Sequence, residues 1–323
     1  MDSRILNIAL GYKIKDGPWG GGNQFLKSFR DYFQAGGGKV GFELEKGLDL
    51  ILIINPRKES SAFGLEDVKR YKRSFPKAKV ITRINDSDKT GKSYKADCLR
   101  LEACKISDGV VFISNWLLDY YLERGFNKDT PHTVINNGPD ENIFNPQGYI
   151  PWRKGEVMRI VTHHWSDNCM KGADVYKRFD EILDEPSIRK DFSFTYIGHL
   201  PSYPYKIQFK NTKYLVPLAL ETLASELKSH HVYLTAARWE GCGMHQLEGA
   251  CCGLPVLFSN EGGGAVECCQ GFGIQFTEET FREGLFKMLN DYAGLQPKMK
   301  EFPLNASLMN KRYEEFISRI LLT

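Results

Sequence analysis

The stretch "EGCGMHQLEGACCGLPVL", Glu240 to Leu257, decides how this chain is read. It follows "HVYLTAA", an apolar run with the β-branched and aromatic content of a buried strand. Glu240 ends that strand, Gly241 and Gly243 permit a tight backbone turn, and the residues from Met244 onward read as a helix that carries Glu248 inward. Ionised carboxylates only accept hydrogen bonds, so Glu240 and Glu248 can each take a pair of sugar hydroxyls. The glycine N–H groups between them can face phosphate or sugar oxygens. Two glutamates at this spacing arise easily by chance, but two that flank Gly-x-Gly at a strand-to-helix turn do so far less often.

Outward from this turn, strand-like apolar runs alternate with amphipathic helical ones, the signature of parallel α/β architecture. The alternation occurs twice. The first half offers the strands "RILNIAL", "DLILIIN", "KVITRIN", "GVVFIS" and "HTVINNG", and the second offers "MRIVTHH", "FSFTYIG", "HVYLTAA" and "LPVLFS". Between the halves, "PDENIFNPQGYIPWRKGE" has no periodicity, so the domain boundary is expected near residues 146 to 156. This predicts a first domain over 1–150, a second over 151–304, and a closing helical segment, 305–323, that caps the second domain or packs back on the first.

A length of 323 residues with 42% hydrophobic and 26% charged residues supports two cores of ordinary size. The net charge of +3 gives no argument for wrapping nucleic acid. No stretch approaches the roughly 18 apolar residues of a membrane span, and the N-terminal "MDSRILNIALGYKIKDG" lacks a long apolar run, so a cytoplasmic protein is expected. The eight cysteines never form C-x2-C and read as reduced, small buried residues rather than metal ligands. From Arg57 to Lys105 there are 14 Lys/Arg against 7 Asp/Glu, a local excess of 14 − 7 = +7. Such a stripe suits a solvated helix face, or else peripheral contact with anionic lipid.

Two further loops carry chemistry. Gly20, Gly21 and Gly22 stand directly before a helix, where backbone N–H groups can meet an anion; a plain flexible turn is the alternative. Lys171 with Gly172 opens another helix, which puts a cation beside free helix N–H groups and suits a diphosphate, although a lysine in a first turn is ordinarily just solvated.

Taken together, these residues resemble the retaining GT-B glycosyltransferases, glycosyltransferase family 4 in particular. "EGCGMHQLEGACCGLPVL" is similar to that family's E-x7-E signature, "NEGGGAVE" to its G-G-x-x-E loop with Glu267 in the acidic position, and "MKGADVYKRFDEI" to its K-G helix. "DGVVFISNWLLDYY" and "VINNGPDENIFNP" resemble the end of the family's first domain. The resemblance implies a GT-B fold, two Rossmann-like domains with parallel sheets facing across a cleft and a last helix crossing back to the first domain. It implies a nucleotide-sugar donor and a glycan, lipid-linked sugar or small molecule as acceptor. Lys171 would hold the donor diphosphate, Glu240 the sugar hydroxyls, and Glu248 the ribose. Gly241, Cys242, Gly243 and Met244 would offer backbone N–H groups, with Gly21 and Gly22 facing the diphosphate from the other domain.

Two departures stand out. The family's arginine before the lysine is absent from "HHWSDNCMK", which leaves His163, His164 or Trp165 in that region, His164 being the donor-binding candidate. The family's histidine after the fourth strand is replaced within "ITRINDSDKTG", which leaves Arg83, Asn85 or Asp86 to face the acceptor or the reacting sugar. Electrostatic stabilisation of the departing diphosphate by Lys171 and helix N-termini needs no divalent metal or other cofactor. The alternatives are a catalytically silent nucleotide-sugar or glycan-binding scaffold and a nucleotide-sugar epimerase.

Overall fold

Every strand pairing among the described residues of the computed structural model is parallel. The described residues are 5–15, 17, 19–90, 95–201 and 207–323, so Lys92 of the basic segment lies outside them. The chain divides into two units, residues 1–15, 22–137 and 306–323, and residues 16–21 and 138–305.

The first unit runs β1 (Asn7–Leu10), α1 (Gly21–Ala35), β2 (Lys39–Gly41), β3 (Leu50–Ile53), α2 (Leu65–Ser74), β4 (Lys79–Ile84), α3 (Ala96–Lys105), β5 (Gly109–Phe112), α4 (Asn115–Leu122) and β6 (His132–Val134). Its sheet has the order β2-β1-β3-β4-β5-β6. β3 and β5 are buried at every position, which is why they read as unbroken apolar runs rather than alternating ones. The chain leaves β5 through Ser114, whose hydroxyl accepts the Leu117 N–H at 3.1 Å and starts α4. On α2, three cations of the basic stripe are paired: Lys69 with Glu66, Arg70 with Asp67, and Lys72 with Asp108.

The last helix, α11 (Ala306–Leu322), belongs to this unit. Its Tyr313 ring lies 5.3 Å from Phe25 and 5.6 Å from Phe29 on α1, and Asn310 donates to Ser28 Oγ at 2.8 Å. A Cβ on Gly109 would stand 2.9 Å from both Phe316 and Ile320, so α11 rests directly on β5.

The second unit runs β7 (Met158–His164), α5 (Ala173–Ile182), α6 (Pro186–Arg189), β8 (Phe192–Gly198), β9 (Lys213–Leu215), α7 (Leu220–Lys228), β10 (Val232–Thr235), α8 (Met244–Cys251), β11 (Val256–Ser259), α9 (Gly264–Cys269), β12 (Gly273–Phe276) and α10 (Phe281–Leu295). Its sheet has the order β12-β11-β10-β7-β8-β9. The core beside it joins Phe179 and Tyr176 of α5 to Phe194, Leu234, Leu257 and Phe281.

The division falls between Asn137 and Gly138, upstream of the expected 146 to 156. The reason is hydrogen bonding. Tyr149 bonds Tyr292 of α10 through the two hydroxyls and donates to the His231 carbonyl at 3.1 Å, and the Trp152 N–H donates to Tyr292 at 3.1 Å. The Pro-rich segment is thereby sewn onto the second unit. No helix among the described residues is long and apolar enough to cross a membrane.

Candidate functional site

The Glu240 turn is built from backbone as much as from side chains. Glu240 pairs with Gly263 in an isolated parallel bridge, and its carbonyl accepts the Gly264 N–H at 2.7 Å. Gly263 has φ +65°, and a Cβ there would lie 2.6 Å from the Glu240 carbonyl oxygen, so the glycine loop can lie on Glu240 only as glycine. Trp239, at φ +52°, is the one non-glycine residue with positive φ among the described residues. That unusual backbone sits directly before Glu240, as strained conformations tend to sit beside functional groups.

Gly241, Cys242 and Gly243 are buried, with Cys242 Sγ 3.6 Å from Cys268 Sγ. Gly243 caps α8, and a Cβ on it would lie 2.4 Å from Gln246 Oε1, 2.7 Å from the His245 ring and 2.9 Å from the Glu240 carboxyl carbon. Met244 opens the helix, which is buried on all sides through Ala250. Gly249 lets α8 sit on β10, because a Cβ there would lie 2.3 Å from the Tyr233 ring.

Lys171 reaches Glu240 and makes an ion pair with Oε1. The lysine ends a one-turn 3-10 helix, Cys169–Lys171, capped by the Asn168 side chain, and the chain then swings into α5 through Gly172 at φ +95°. A Cβ on Gly172 would lie 2.4 Å from the Ala236 Cβ, so this glycine holds the lysine turn close to the end of β10. Arg238 locks the same region from outside. Its N–H donates to the Met170 carbonyl at 2.8 Å, and its guanidinium takes Asp174 bidentately at 2.8 and 2.6 Å and Glu261 at 2.8 Å. With these bonds Arg238 is a clip and does not replace the arginine missing before Lys171.

Glu248 is 6% exposed and meets His163 Nε2 at 2.6 Å. Tyr233 OH stands 3.1 Å from His163 Nδ1, and burial pushes that phenol well above its usual range, so it keeps its proton and can donate it to Nδ1. Nε2–H then donates to Glu248, which fixes the carboxylate through a Tyr-His-Glu chain. His163 was one of three candidates for the region before Lys171, and its part is to hold Glu248.

His164 turns inward. Its Nε2 meets Tyr176 OH at 2.8 Å and Thr162 Oγ1 at 3.2 Å, and its Nδ1 is buried without a partner. Burial, reinforced by His245 and Lys171, holds His164 well below the usual imidazole range. His164 closes β7 and is held neutral, so it can meet a donor phosphate only as a neutral hydrogen-bond donor, through Nδ1. His245 is likewise kept neutral by burial and by Lys171. Its Nε2 meets Thr235 Oγ1 at 3.0 Å and its Nδ1 lies 3.8 Å from Glu240.

The remaining candidates lie in other parts of the chain. Gly21 and Gly22 start α1. Arg83 is on β4 and 2% exposed, with its side chain packed against Phe25 of α1 and Tyr313 of α11. Asn85 is half-buried in the segment that leaves β4. Asp86 accepts the Ser87 N–H at 2.9 Å and Thr90 Oγ1 at 3.2 Å. Asp86-Ser87-Asp88 also spells D-x-D, a pattern found at metal sites. Both carboxylates face Arg100, at 3.8 and 3.7 Å, which commits them to a cation already present. Among the described residues no group of three His, Cys, Asp or Glu side chains is arranged to hold a metal ion.

No family model matches the chain, and no curated protein does. Solved structures do. Sucrose-phosphate synthase from Thermosynechococcus elongatus superposes with TM-score 0.75 at 13% identity, covering 98% of this chain and 99% of the other. A glycosyltransferase from Rickettsia africae gives 0.69 at 15% over 98% and 99%. Anabaena HepE, in complex with UDP and glucose, gives 0.66 at 12% over 98% and 100%. At these identities the likeness speaks for architecture alone: two parallel α/β units in the GT-B fold.

Proposed function

We propose that this protein is a glycosyltransferase that moves a hexosyl group from a nucleoside-diphosphate sugar to a hydroxyl of a glycan, a lipid-linked sugar or a small molecule, with retention of the anomeric configuration. The observation that carries the reading is the joining of Lys171 to Glu240 at the turn that opens α8, with Glu248 one turn further along that helix. The UDP and glucose bound by the similarly folded Anabaena HepE support a donor of this class.

In this reading the bond between the anomeric carbon and the diphosphate oxygen breaks, the acceptor oxygen bonds to that carbon, and the acceptor's proton leaves on the released diphosphate. Positive charge develops on the sugar ring and negative charge on the diphosphate. Lys171 and the backbone N–H groups at the start of α8 stabilise the leaving group. Glu240 positions the sugar hydroxyls and Glu248 the ribose. The step is balanced without a divalent metal, and reduced cysteines suit a cytoplasmic setting.

Titration calorimetry of the full chain against UDP, GDP, ADP and CMP sugars, without added metal, tests this. Binding of one nucleotide class, weakened in Glu248→Gln and followed by transfer, is the expected result. A second reading has an observation of its own: both carboxylates already hold internal partners, Lys171 and His163. A silent scaffold would bind the nucleotide sugar and never turn it over with any acceptor or with water.

A further inference from the structure

The first unit contains two buried arginines that are treated differently. Arg100, 6% exposed, lies among Asp86, Asp88 and Asp97, with the Asp97 contact at 2.8 Å. Arg83, 2% exposed, makes no ion pair among the described residues. Its Nε donates to Tyr313 OH at 3.1 Å, its NH2 to Asn137 Oδ1 at 2.7 Å, and its guanidinium carbon lies 3.9 Å from the centre of the Phe25 ring. Its NH1 is buried and has no partner. Buried charges in proteins are ordinarily paired, because desolvating a cation without an anion is costly. Neutral oxygens and an aromatic face position this guanidinium without neutralising it.

We propose that Arg83 is the cation of a phosphoryl-binding subsite in the first unit, which an anionic oxygen completes at NH1. The subsite lies toward the carboxyl end of β4, the end of a parallel sheet where α/β folds take ligands. Phe25 is the fifth residue of α1, so the guanidinium stacks about 6 Å along the axis from a helix N-terminus, whose partial positive charge also favours an anion. Ser87 Oγ, in the segment that leaves β4, is a second buried group without a partner. The choice of a phosphoryl oxyanion rests on the proposed transfer reaction, which brings a diphosphate with its donor. The same chemistry arrives if the acceptor carries a phosphate, and these two sources can be separated.

The test is calorimetric binding of orthophosphate, glucose 6-phosphate, UDP and UDP-glucose to the full chain, to Arg83→Gln and to Arg83→Lys. The wild type is expected to bind at least one of these probes, with affinity falling at least tenfold in Arg83→Gln and less in Arg83→Lys, which keeps the charge. Loss confined to UDP and UDP-glucose identifies the donor diphosphate as the ligand; loss confined to orthophosphate and glucose 6-phosphate identifies an acceptor phosphate. If no nucleotide sugar binds while the phosphate effect persists, the subsite stands and the transferase reading falls. Absence of binding of every probe by the wild type overturns the subsite, a result that does not depend on any variant folding. Unchanged affinities in Arg83→Gln overturn it as well. So does a crystal structure soaked in phosphate that shows only a water at NH1.

Discussion

The two units leave the ends of their strands with opposite charge arrangements. In the second, Lys171 is closed on Glu240, and Glu248 is closed on His163. In the first, Arg83 has only neutral partners although Arg100 nearby in sequence has three carboxylates. A ligand for the second unit must therefore compete with bonds already made, whereas an anion for the first would fill a vacancy in charge. Substitutions in the two units should act in different directions, and that difference can be measured.

The largest effect is expected at Lys171. Lys171→Ala removes the cation that meets the developing diphosphate charge, and kcat should fall by about 10²–10³-fold, the range seen when a single transition-state donor is lost. A smaller drop in kcat with a large rise in KM would mean that Lys171 binds the ground state and the transition state alike.

How much of this was legible in the sequence depended on distance along the chain. Glu240, Glu248 and the glycines between them sit within one strand-to-helix turn, and Lys171-Gly172 sits in another, so local pattern found both. That Lys171 touches Glu240 and that His163 touches Glu248, 69 and 85 residues apart, is a consequence of β7 lying beside β10 in the sheet. No spacing rule carries that. β2, β9 and β12 are edge strands of three or four residues, too short to show a period, and were missed; β6, equally short, was legible only through the longer run "HTVINNG". The signal for α10 was available, since Phe281, Leu285, Met288, Tyr292 and Leu295 fall on one helical face. Arg83 was legible as a candidate, but its lack of a carboxylate partner was not, because that depends on which side chains the fold brings around β4.

The next effect is a pH dependence that should fall on one unit. Six of the seven histidines are in the second unit. His230 there is pushed down to about 4 from 6.5, first by burial, and its Nε2 meets Thr195 Oγ1 at 2.9 Å while its Nδ1 meets the Glu226 carbonyl at 2.8 Å. His231 is pushed down to about 3 by burial and Arg159. The unfolded imidazole takes a proton before the folded one, so this stability is complete above the unfolded pKa and drains away as pH falls from about 6.5 toward about 4. His230 alone should account for about 2 kcal/mol between pH 7 and pH 5. Hydrogen exchange, corrected for intrinsic rates, should show β7 and β10 losing protection over that interval before β1 and β3 do, with His230→Gln flattening the change. Equal losses in both sheets would break the contrast between the units.

The smallest effect is the most discriminating. Glu240→Gln keeps the shape of the side chain and releases Lys171 from its internal partner. Free UDP, which has no sugar for Glu240 to hold, should then bind about fivefold more tightly, the equivalent of about 1 kcal/mol for a partly buried pair. Transfer should slow in the same variant, because the sugar hydroxyls lose a charged acceptor. Tighter product-like binding with slower turnover is the signature of a site whose empty form is closed on itself. Arg83→Gln, in contrast, has no internal ion pair to release and should only lose affinity for a phosphoryl ligand. If Glu240→Gln weakens UDP as well, Lys171 and Glu240 act as one unit toward the nucleotide, and the difference between the two halves of the molecule lies in Arg83 alone.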